Sequence, residues 1–236
     1  MITIDNISKQ FGKLKALDGV SVMCDAAQSV ALIGPNGSGK TTLIKCILGM
    51  VVHDSGNILF NKKNIANEWK YREQIGYMPQ IGRYPDNMTI GQVIDMMKDI
   101  RYNNTAFDET LIEAFSLKSM YHKRMRTLSG GTRQKVSASL AFLFNPQVLI
   151  LDEPTAGLDP VASEILKEKI IDEKKKGKLV LITSHILSEL DDLITEVIYM
   201  QEGKLMFHKS LHQLHVDTGE IKLSKAIAKV MLNKVA

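Results

Sequence analysis

The stretch Gly34–Leu43, GPNGSGKTTL, decides how the chain is expected to fold. It fits the pattern GxxxxGK[ST], with Gly34 and Gly39 at the required spacing and Lys40 and Thr41 closing the motif. The apolar run SVALI precedes it, and helical spacing of apolar residues follows from Thr41. A glycine-rich loop between a strand and a helix turns its backbone N–H groups toward a bound phosphate. The stretch therefore predicts a nucleotide-phosphate site.

Each residue type in this loop has a chemical reason to be there. We expect Lys40 to contact the β- and γ-phosphates of a nucleotide, and Thr41 to offer its hydroxyl to Mg²⁺. A glycine-rich turn before an ordinary helix is the alternative, although strand, loop and helix stand in the order that the motif requires. The predicted phosphate-binding residues are Gly34, Pro35, Asn36, Gly37, Ser38, Gly39, Lys40, Thr41 and Thr42.

The rest of the chain predicts an α/β protein. The runs ITIDNI, GVSVMC, SVALIG and GNILF indicate early strands, which suggest an antiparallel sheet. Helical spacing then dominates from about Tyr84 to Phe144, with Thr89 and Asp108 as predicted N-caps. Strand–helix alternation resumes through QVLILD, a helix over about 160–176, KLVLITS and EVIYMQ. Such alternation indicates a mostly parallel sheet, with the helical segment inserted into the core.

A second motif, VLILDEPTAGLDP at residues 148–160, ends a predicted buried strand with two adjacent acids. Ligands of open α/β sheets bind at the carboxyl ends of the strands. We expect Asp152 to belong to a Mg²⁺ shell and Glu153 to polarise an attacking water. This pair favours hydrolysis over transfer to a second substrate, and solvated loop acids are the alternative interpretation.

A third motif, TLSGGTRQKVSASLAFLF at residues 127–144, begins a long helix with Ser129, Gly130 and Gly131. The exposed N–H groups and the positive dipole end of such a helix form an anion site. On composition alone, the same residues are also typical of a simply capped helix start. The meaning of the segment comes from its neighbours.

Together these motifs resemble the single-cassette ATP-binding subunits of ABC transporters, over nearly the whole chain. The motifs follow one another in the order typical of that family: GPNGSGKT, Gln80 in YMPQ, LSGG, LILDEP, Asp159 in AGLD and His185 in ITSH. Phe11 in KQFGK matches the aromatic residue that stacks on adenine. Any one of these motifs can occur by chance, but their common order identifies the chain as similar to this family.

The resemblance implies a P-loop NTPase (RecA-like) core with a mostly parallel sheet, an antiparallel β subdomain and an inserted α-helical subdomain. Residues 1–236 would form one ABC ATPase domain. The core and β subdomain would occupy about 1–84 and 145–207, and the helical subdomain about 85–144. A short helical C-terminal extension would follow over about 208–236.

The resemblance also implies roles at the matching positions. Gln80 would reach Mg²⁺ and the attacking water, and His185 would contact the γ-phosphate. Phe11 replaces the commoner tyrosine, and stacking on adenine needs only its ring. The implied cofactors are ATP and Mg²⁺. The implied catalytic residues are Glu153, His185 and Gln80, and the implied metal-site residues are Thr41, Gln80 and Asp152.

Two subunits of this family pack head to tail, which implies a homodimer on ATP binding. Ser129, Gly130 and Gly131 of one copy, together with Asp159, would complete the nucleotide site of the other. Thr132 stands where the family usually has glutamine. We expect this departure to be tolerated because the serine and both glycines remain.

The family further implies an integral membrane permease subunit as partner, docked on the surface between Gln80 and Tyr102. We expect GRYPDNMTIGQ, residues 82–92, to lie at that contact. The implied function is ATP hydrolysis that energises transport of an unidentified substrate from the cytoplasmic face of the membrane. Two-cassette translation factors and repair ATPases with long insertions do not fit this chain, so no nucleic-acid partner is expected.

An assembly or regulatory ATPase that uses the same dimer switch is the alternative. The C-terminal tail loosely resembles that of cassettes serving exporter-like permeases. The middle stretch YREQIGYMPQIGRYPDNMTIGQVIDMMKDIR also resembles ATPases for copper-site maturation of nitrous oxide reductase. His208, His212 and His215 fall at i, i+4 and i+7, a spacing that puts them on one face of a helix. They would form either a metal site or a plain polar face.

Composition fits a cytoplasmic chain. With 236 residues and 44% hydrophobic content, the chain can bury the core of one domain. The formal net charge is +4, and residues 203–236 carry six lysines against two acids, which favours a solvated amphipathic helix. No run approaches the roughly 18–20 apolar residues of a membrane span, and no signal peptide is recognised. Cys24 and Cys46 are expected to be buried thiols.

Overall fold

The computed structural model describes residues 1–101 and 106–233. Along these residues, strands and helices alternate after a β-rich start. The strands are β1 (Ile2–Phe11), β2 (Leu14–Cys24), β3 (Ser29–Ile33), β4 (Ser55–Phe60), β5 (Lys63–Asn64), β6 (Ile75–Met78), β7 (Val148–Asp152), β8 (Leu179–Thr183), β9 (Glu196–Gln201) and β10 (Lys204–Ser210). The helices are α1 (Lys40–Ile47), α2 (Ile90–Ile100), α3 (Thr110–Ala114), α4 (Gly130–Phe142), α5 (Pro160–Lys175), α6 (Leu211–Thr218) and α7 (Leu223–Asn233).

Six strands form a central sheet in the order β10-β9-β3-β8-β7-β6. The pairs from β9 to β6 are parallel, and only β10 runs antiparallel at the edge. Strands β3, β7 and β8 are buried along their whole length. Their alternate side chains point into two different cores, so both faces of the sheet are covered. This arrangement confirms the predicted α/β class with a mostly parallel sheet.

A second sheet of four antiparallel strands, in the order β2-β1-β4-β5, covers one face of the central sheet. The early strands that the sequence indicated lie here, except SVALI, which is central strand β3. Helices α2 to α5 cover the opposite face through the other core. The segment predicted as a helical subdomain contains α2, α3 and α4, and its exact limits stay a prediction.

The sequence did not predict three of the strands, namely β5, β6 and β10. Strand β6 has only four residues and contains Gly76, so its apolar pattern is short and interrupted. A Cβ at Gly76 would lie 2.0 Å from the carbonyl oxygen of Ala141, which explains why glycine stands there. Close packing of α4 on the sheet therefore hides the strand signal in the sequence.

One predicted helix cap is confirmed and one is wrong. Thr89 caps α2 in a reciprocal box, because its hydroxyl accepts from Gln92 N at 3.2 Å and its N–H donates to Gln92 Oε1 at 2.9 Å. Asp108 is not the N-cap of α3, which begins after Glu109. Its carboxylate instead accepts from the Thr110 backbone and hydroxyl, and it pairs with Lys169 at 2.5 Å.

Two helices follow the last strand at the C-terminal end of the described residues. β10 continues to Ser210, and only then do α6 and α7 follow. His208 consequently lies on a strand, whereas His212 and His215 are on α6. The prediction that the three share one helix face is wrong, because strand pairing with β9 takes precedence over the helical spacing. Within residues 1–101 and 106–233, no cluster of three or more His, Cys, Asp or Glu side chains is arranged to hold a metal. Both cysteines are buried free thiols, as predicted.

A buried acid on α5 gathers three lysines. The Glu173 carboxylate is fully buried and pairs with Lys176 at 2.7 Å, with Lys169 at 3.0 Å and with Lys178. Burial pushes the pKa of Glu173 upward, but the hydrogen bonds from these lysines outweigh it and hold the pKa below its ordinary value. Lys169 also binds Asp108, so this cluster ties α5 to the start of α3.

We expect Glu173→Gln to lower the free energy of unfolding by about 3–5 kcal/mol, because buried lysines lose their counter-charge. Urea denaturation at neutral pH measures the difference. Glu164→Gln on the same helix is the matched control. Its exposed pair with Lys167 contributes less than about 1 kcal/mol.

The pH dependence has a definite sign. Because the pKa of Glu173 is lowered on folding, its stabilisation is present above the unfolded pKa of about 4.3 and is lost as pH falls through the folded value. The difference between parent and variant should therefore shrink in acid. An undiminished difference at acid pH would contradict this account.

Candidate active site

A cleft of about 660 Å³ opens at the carboxyl edge of the central sheet. The loops after β3, β6, β7 and β8 all reach this edge, as expected for parallel strands. The size is typical of a small-molecule site. The cleft is lined by Phe11, Leu14, Ala16, Asn36, Gly37, Ser38, Gly39, Lys40, Thr41, Thr42, Gln80, Asp152, Glu153 and His185.

The loop between β3 and α1 forms one wall of the cleft. Gly37 and Gly39 have φ of +78° and +100°, and a Cβ at Gly39 would lie 2.5 Å from the Ala16 carbonyl oxygen. This backbone conformation needs glycine, and the loop leads directly into the N-terminus of α1. Gly34 and Pro35 are not among the lining residues, but their carbonyl oxygens accept hydrogen bonds from Lys40 Nζ at 2.8 and 3.0 Å. The loop thus presents a cationic cradle.

The Lys40 ammonium is half-buried in this cradle. Desolvation lowers its pKa, while the charges of Asp152 and Glu153 act in the opposite direction. A cation facing two acids across a cleft is suited to a ligand that combines phosphate oxygens with a divalent metal ion.

Thr183 organises both acids, because β7 and β8 pair with Asp152 opposite it. Its hydroxyl donates to Asp152 Oδ1 at 2.5 Å and accepts from Glu153 N at 3.1 Å. The Thr183 backbone oxygen accepts from the same Glu153 N–H at 3.1 Å. Sequence reasoning did not single out Thr183, although it ends the run KLVLIT in the position where parallel strands bring their last residues together.

Glu153 and His185 form an acid–base pair in the cleft. Glu153 Oε1 lies 2.8 Å from His185 Nε2, and the imidazole is 48% exposed. Glu153 has φ of +51°, an unusual conformation for a residue with a side chain. The bonds of its N–H to Thr183 hold that conformation and turn the carboxylate toward His185.

Gln80 and Phe11 complete the lining that the sequence predicted. Gln80 follows β6 by two residues and is exposed at the edge of the cleft. Phe11 ends β1 with its ring 49% exposed, and the Lys9 ammonium lies 5.3 Å from the ring centroid. Leu14 and Ala16 on β2 also line the cleft. No motif had marked them, because apolar wall residues carry no pattern of their own.

The LSGG segment, residues 128–131, does not line this cleft, and neither does Asp159. Ser129 caps α4, with its hydroxyl accepting from Thr132 N at 3.3 Å, and Ser129 and Gly130 are exposed. The Thr132 hydroxyl lies 3.0 Å from Ser129 Oγ, so threonine at this position joins the cap. The exposed N-terminus of α4 is therefore not part of the cleft that the chain's own phosphate loop lines.

Asp159 belongs to a contact between α4 and α5. It caps α5 through Ala162 N at 2.9 Å and pairs with Lys135 of α4 at 2.7 Å. The hydrogen bond from Lys135 holds the pKa of Asp159 below its ordinary value. Gly131 approaches the same loop, since a Cβ there would lie 2.7 Å from the Gly157 carbonyl oxygen. The LSGG segment and the loop after Glu153 are thus held together.

Comparison with known proteins decides the family. A family model described as ABC transporter matches residues 17–156, more than half of the chain. The chain belongs to the ABC transporter ATP-binding family. It is an ABC ATPase with a single cassette. The confirmed family assignment agrees with the order of motifs in the sequence.

Individual relatives align with this chain over most of their own length. The chain is 33% identical over 224 residues to the uncharacterized ABC transporter ATP-binding protein YhaQ of Bacillus subtilis, covering 93% of this chain and 74% of that protein. It is 32% identical to the lantibiotic transport ATP-binding protein SrtF of Streptococcus pyogenes, covering 89% of this chain and 90% of that protein. A solved structure of the ATP-binding subunit of an ABC transporter superposes with a TM-score of 0.88 at 26% identity, covering 98% of this chain and 99% of that one.

A helix must be both long and apolar to cross a bilayer. Across residues 1–101 and 106–233, none of the helices combines the length and the apolar character needed to cross a bilayer.

We expect Thr183→Val to lower kcat of ATP hydrolysis about 10–100-fold, because both acids lose the hydroxyl that orients them. Thr183→Ser keeps that hydroxyl and is the matched control. Steady-state hydrolysis at saturating ATP measures the effect. Equal rates for the two variants would show that the hydroxyl does not organise the acids.

Proposed function

We propose that this ABC ATPase hydrolyses ATP in a nucleotide-sandwich homodimer and thereby energises transport through a separate membrane permease. The observation that carries the proposal is the division of the functional residues. Most of the phosphate loop lines one cleft together with Gln80, Asp152, Glu153 and His185, whereas the LSGG segment lies outside that lining. Such a division suits a site that a second copy completes.

ATP with Mg²⁺ fits the residues of the cleft. The glycine backbone and the half-buried Lys40 ammonium match a triphosphate, and the exposed Phe11 ring offers a stacking surface for adenine. Thr41, Gln80 and Asp152 supply the oxygen donors that Mg²⁺ prefers. Bound Mg²⁺ would neutralise the charge that develops on the phosphates during hydrolysis.

The acid pair suggests how the chemistry proceeds. Glu153 is oriented to accept a proton from a water molecule, since its backbone is fixed at Thr183 and its carboxylate faces the cleft. His185 contacts Glu153 and can also offer its ring to the γ-phosphate. Gln80, at the end of a neighbouring strand, is placed to position the same water. These are the roles that the family resemblance implied.

The dimer follows from the exposed N-terminus of α4. Ser129 and Gly130 present backbone N–H groups and a positive helix end to the surface, a good environment for phosphate. Gly131 and Asp159 lie beside them through the contact with the loop after Glu153. Packed head to tail, each copy would bring this surface over the phosphate loop of the other.

We expect Glu153→Gln to lower kcat about 10²–10⁴-fold and to trap an ATP-bound dimer, because the water loses its proton acceptor. Size-exclusion chromatography with ATP and hydrolysis assays measure the two effects. The matched variant, Glu153→Gln with Ser129→Arg, should still bind ATP but elute as a monomer. A dimer that survives Ser129→Arg would place the interface elsewhere.

The permease contact is proposed at residues 82–92. Next to them Ile81 is 66% exposed, and Arg83, Asp86 and Asn87 are exposed. This surface adjoins Gln80 of the cleft, so a partner docked there could respond to the state of the nucleotide. The predicted surface ends at Tyr102, which lies outside the described residues.

We expect the double variant Arg83→Ala/Asp86→Ala to lose association with native membranes and transport while retaining basal ATP hydrolysis, because both side chains are surface groups outside the cleft. Glu164→Ala/Asp172→Ala on exposed positions of α5 is the matched control. Copurification from native membranes and hydrolysis assays test both. Loss of ATP binding in the first variant would instead assign these residues to the nucleotide site.

This function places the chain on the cytoplasmic face of a membrane, held there by its permease. Copurified permease would also identify the transported substrate class. The assembly or regulatory alternative gains no support from the histidines of the tail, because they do not share the proposed helix face.

A further inference from the structure

The C-terminal helix α7 packs directly against the part of the chain that carries His185. We call residues 184–192 the histidine segment. It contains the turn Leu187–Glu189 and lies in the connection between β8 and β9. Helix α7 contacts this turn, and α6 packs on α7. Helix α7 thus supports a segment of the active site from which it is distant in sequence.

The contact between them is apolar and closed to solvent. Leu190 of the histidine segment is 1% exposed, and Leu223 and Ala226 of α7 are fully buried in the same core. Leu187 packs on that core from its edge. A contact of this kind resists sliding, because displaced side chains would open a void or meet water.

A polar anchor fixes the start of α7. The Leu223 N–H donates to Asp191 Oδ1 at 3.2 Å, so a carboxylate of the histidine segment receives a free N–H of the first helical turn. The next residue, Asp192, is exposed and lacks this geometry with α7 in the described hydrogen bonds. Asp191 therefore joins the histidine segment to the extension at a defined atom.

A second anchor joins the histidine segment to the loop that follows Glu153. The Thr155 hydroxyl donates to Glu189 Oε2 at 2.5 Å. Glu153 itself touches His185 at 2.8 Å. Between His185 and Asp191 the segment is thus attached to the catalytic loop on one side and to α7 on the other.

We propose that Asp191 and Glu189 are positioning residues that hold His185 in contact with Glu153, Asp191 through its bond to helix α7 and Glu189 through its bond to Thr155. The inference rests on the proposed role of His185 in hydrolysis. Because His185 is half-exposed and lies in a loop, its own surroundings do little to fix the ring. Displacement of a reacting group by about 1 Å can cost 10²-fold in rate, so the anchors matter for kcat.

The test compares Asp191→Ala with Asp192→Ala and with Asp191→Asn in the full-length protein. We expect Asp191→Ala to lower kcat about ten-fold at unchanged KM for ATP, because His185 is misplaced while the phosphate loop is intact. Asp191→Asn retains an acceptor oxygen and should recover most of the rate. Asp192→Ala should behave as the parent. An unchanged kcat in Asp191→Ala would overturn the proposal.

A double variant separates positioning from general stability. If Asp191 acts through His185, Asp191→Ala should cost nothing further in a His185→Ala background. A full additional loss there would show that Asp191 acts by another route and would overturn the proposal. Thr155→Val and Glu189→Ala probe the second anchor, and their effects on kcat should not add, because both remove the same hydrogen bond. Additive losses would contradict a shared anchor, whether or not Asp191→Ala folds well.

The same experiments distinguish this inference from the proposed function. If His185→Ala hydrolyses ATP at the parental rate, the role of His185 is wrong and the positioning inference falls with it. If His185→Ala is slow while Asp191→Ala, Glu189→Ala and Thr155→Val are all parental, only the positioning inference is wrong.

Discussion

The pairing of Asp152 with Thr183 at the ends of β7 and β8 is the constraint on which the site depends. That register puts one hydroxyl between the carboxylate of Asp152 and the N–H of Glu153. Since both strands are buried on both faces, a slip by one residue would exchange the side chains of two cores. The packing of the sheet therefore fixes where the two acids lie, and the loops determine only how their side chains are oriented.

Much of the fold was predictable from the sequence because its buried strands are strongly patterned. SVALI, VLILD and KLVLIT are apolar runs that end in glycine or polar residues, and each became a central parallel strand. Thr89 with Gln92 gave a clear helix start. Strand β6 was not predictable, because Gly76 interrupts it to admit α4. The prediction that His208 lies on a helix was wrong for a related reason, because local helical spacing carries no information about strand pairing with β9.

The candidate site was predictable where motifs carry backbone chemistry. Most of the phosphate loop, together with Gln80, Asp152, Glu153 and His185, lines one cleft, as their positions after strands suggested. Their individual roles stay predictions. Thr183, Leu14 and Ala16 were missed because a single hydroxyl or an apolar wall residue has meaning only once neighbouring strands are aligned. Asp191 and Glu189 lie still further from any motif, since their partners come from distant parts of the chain.

In the proposed dimer, the surface offered to a second copy is mechanically joined to the chain's own cleft. Lys135 of α4 binds Asp159, and Gly131 lies against Gly157 in the loop after Glu153. The same loop reaches the histidine segment through Thr155. Phosphate bound at the N-terminus of α4 would therefore lie next to residues that contact the loop after Glu153. In such a dimer, only Gly131, Gly157 and Lys135 with Asp159 would separate the N-terminus of α4 from the loop that follows Glu153.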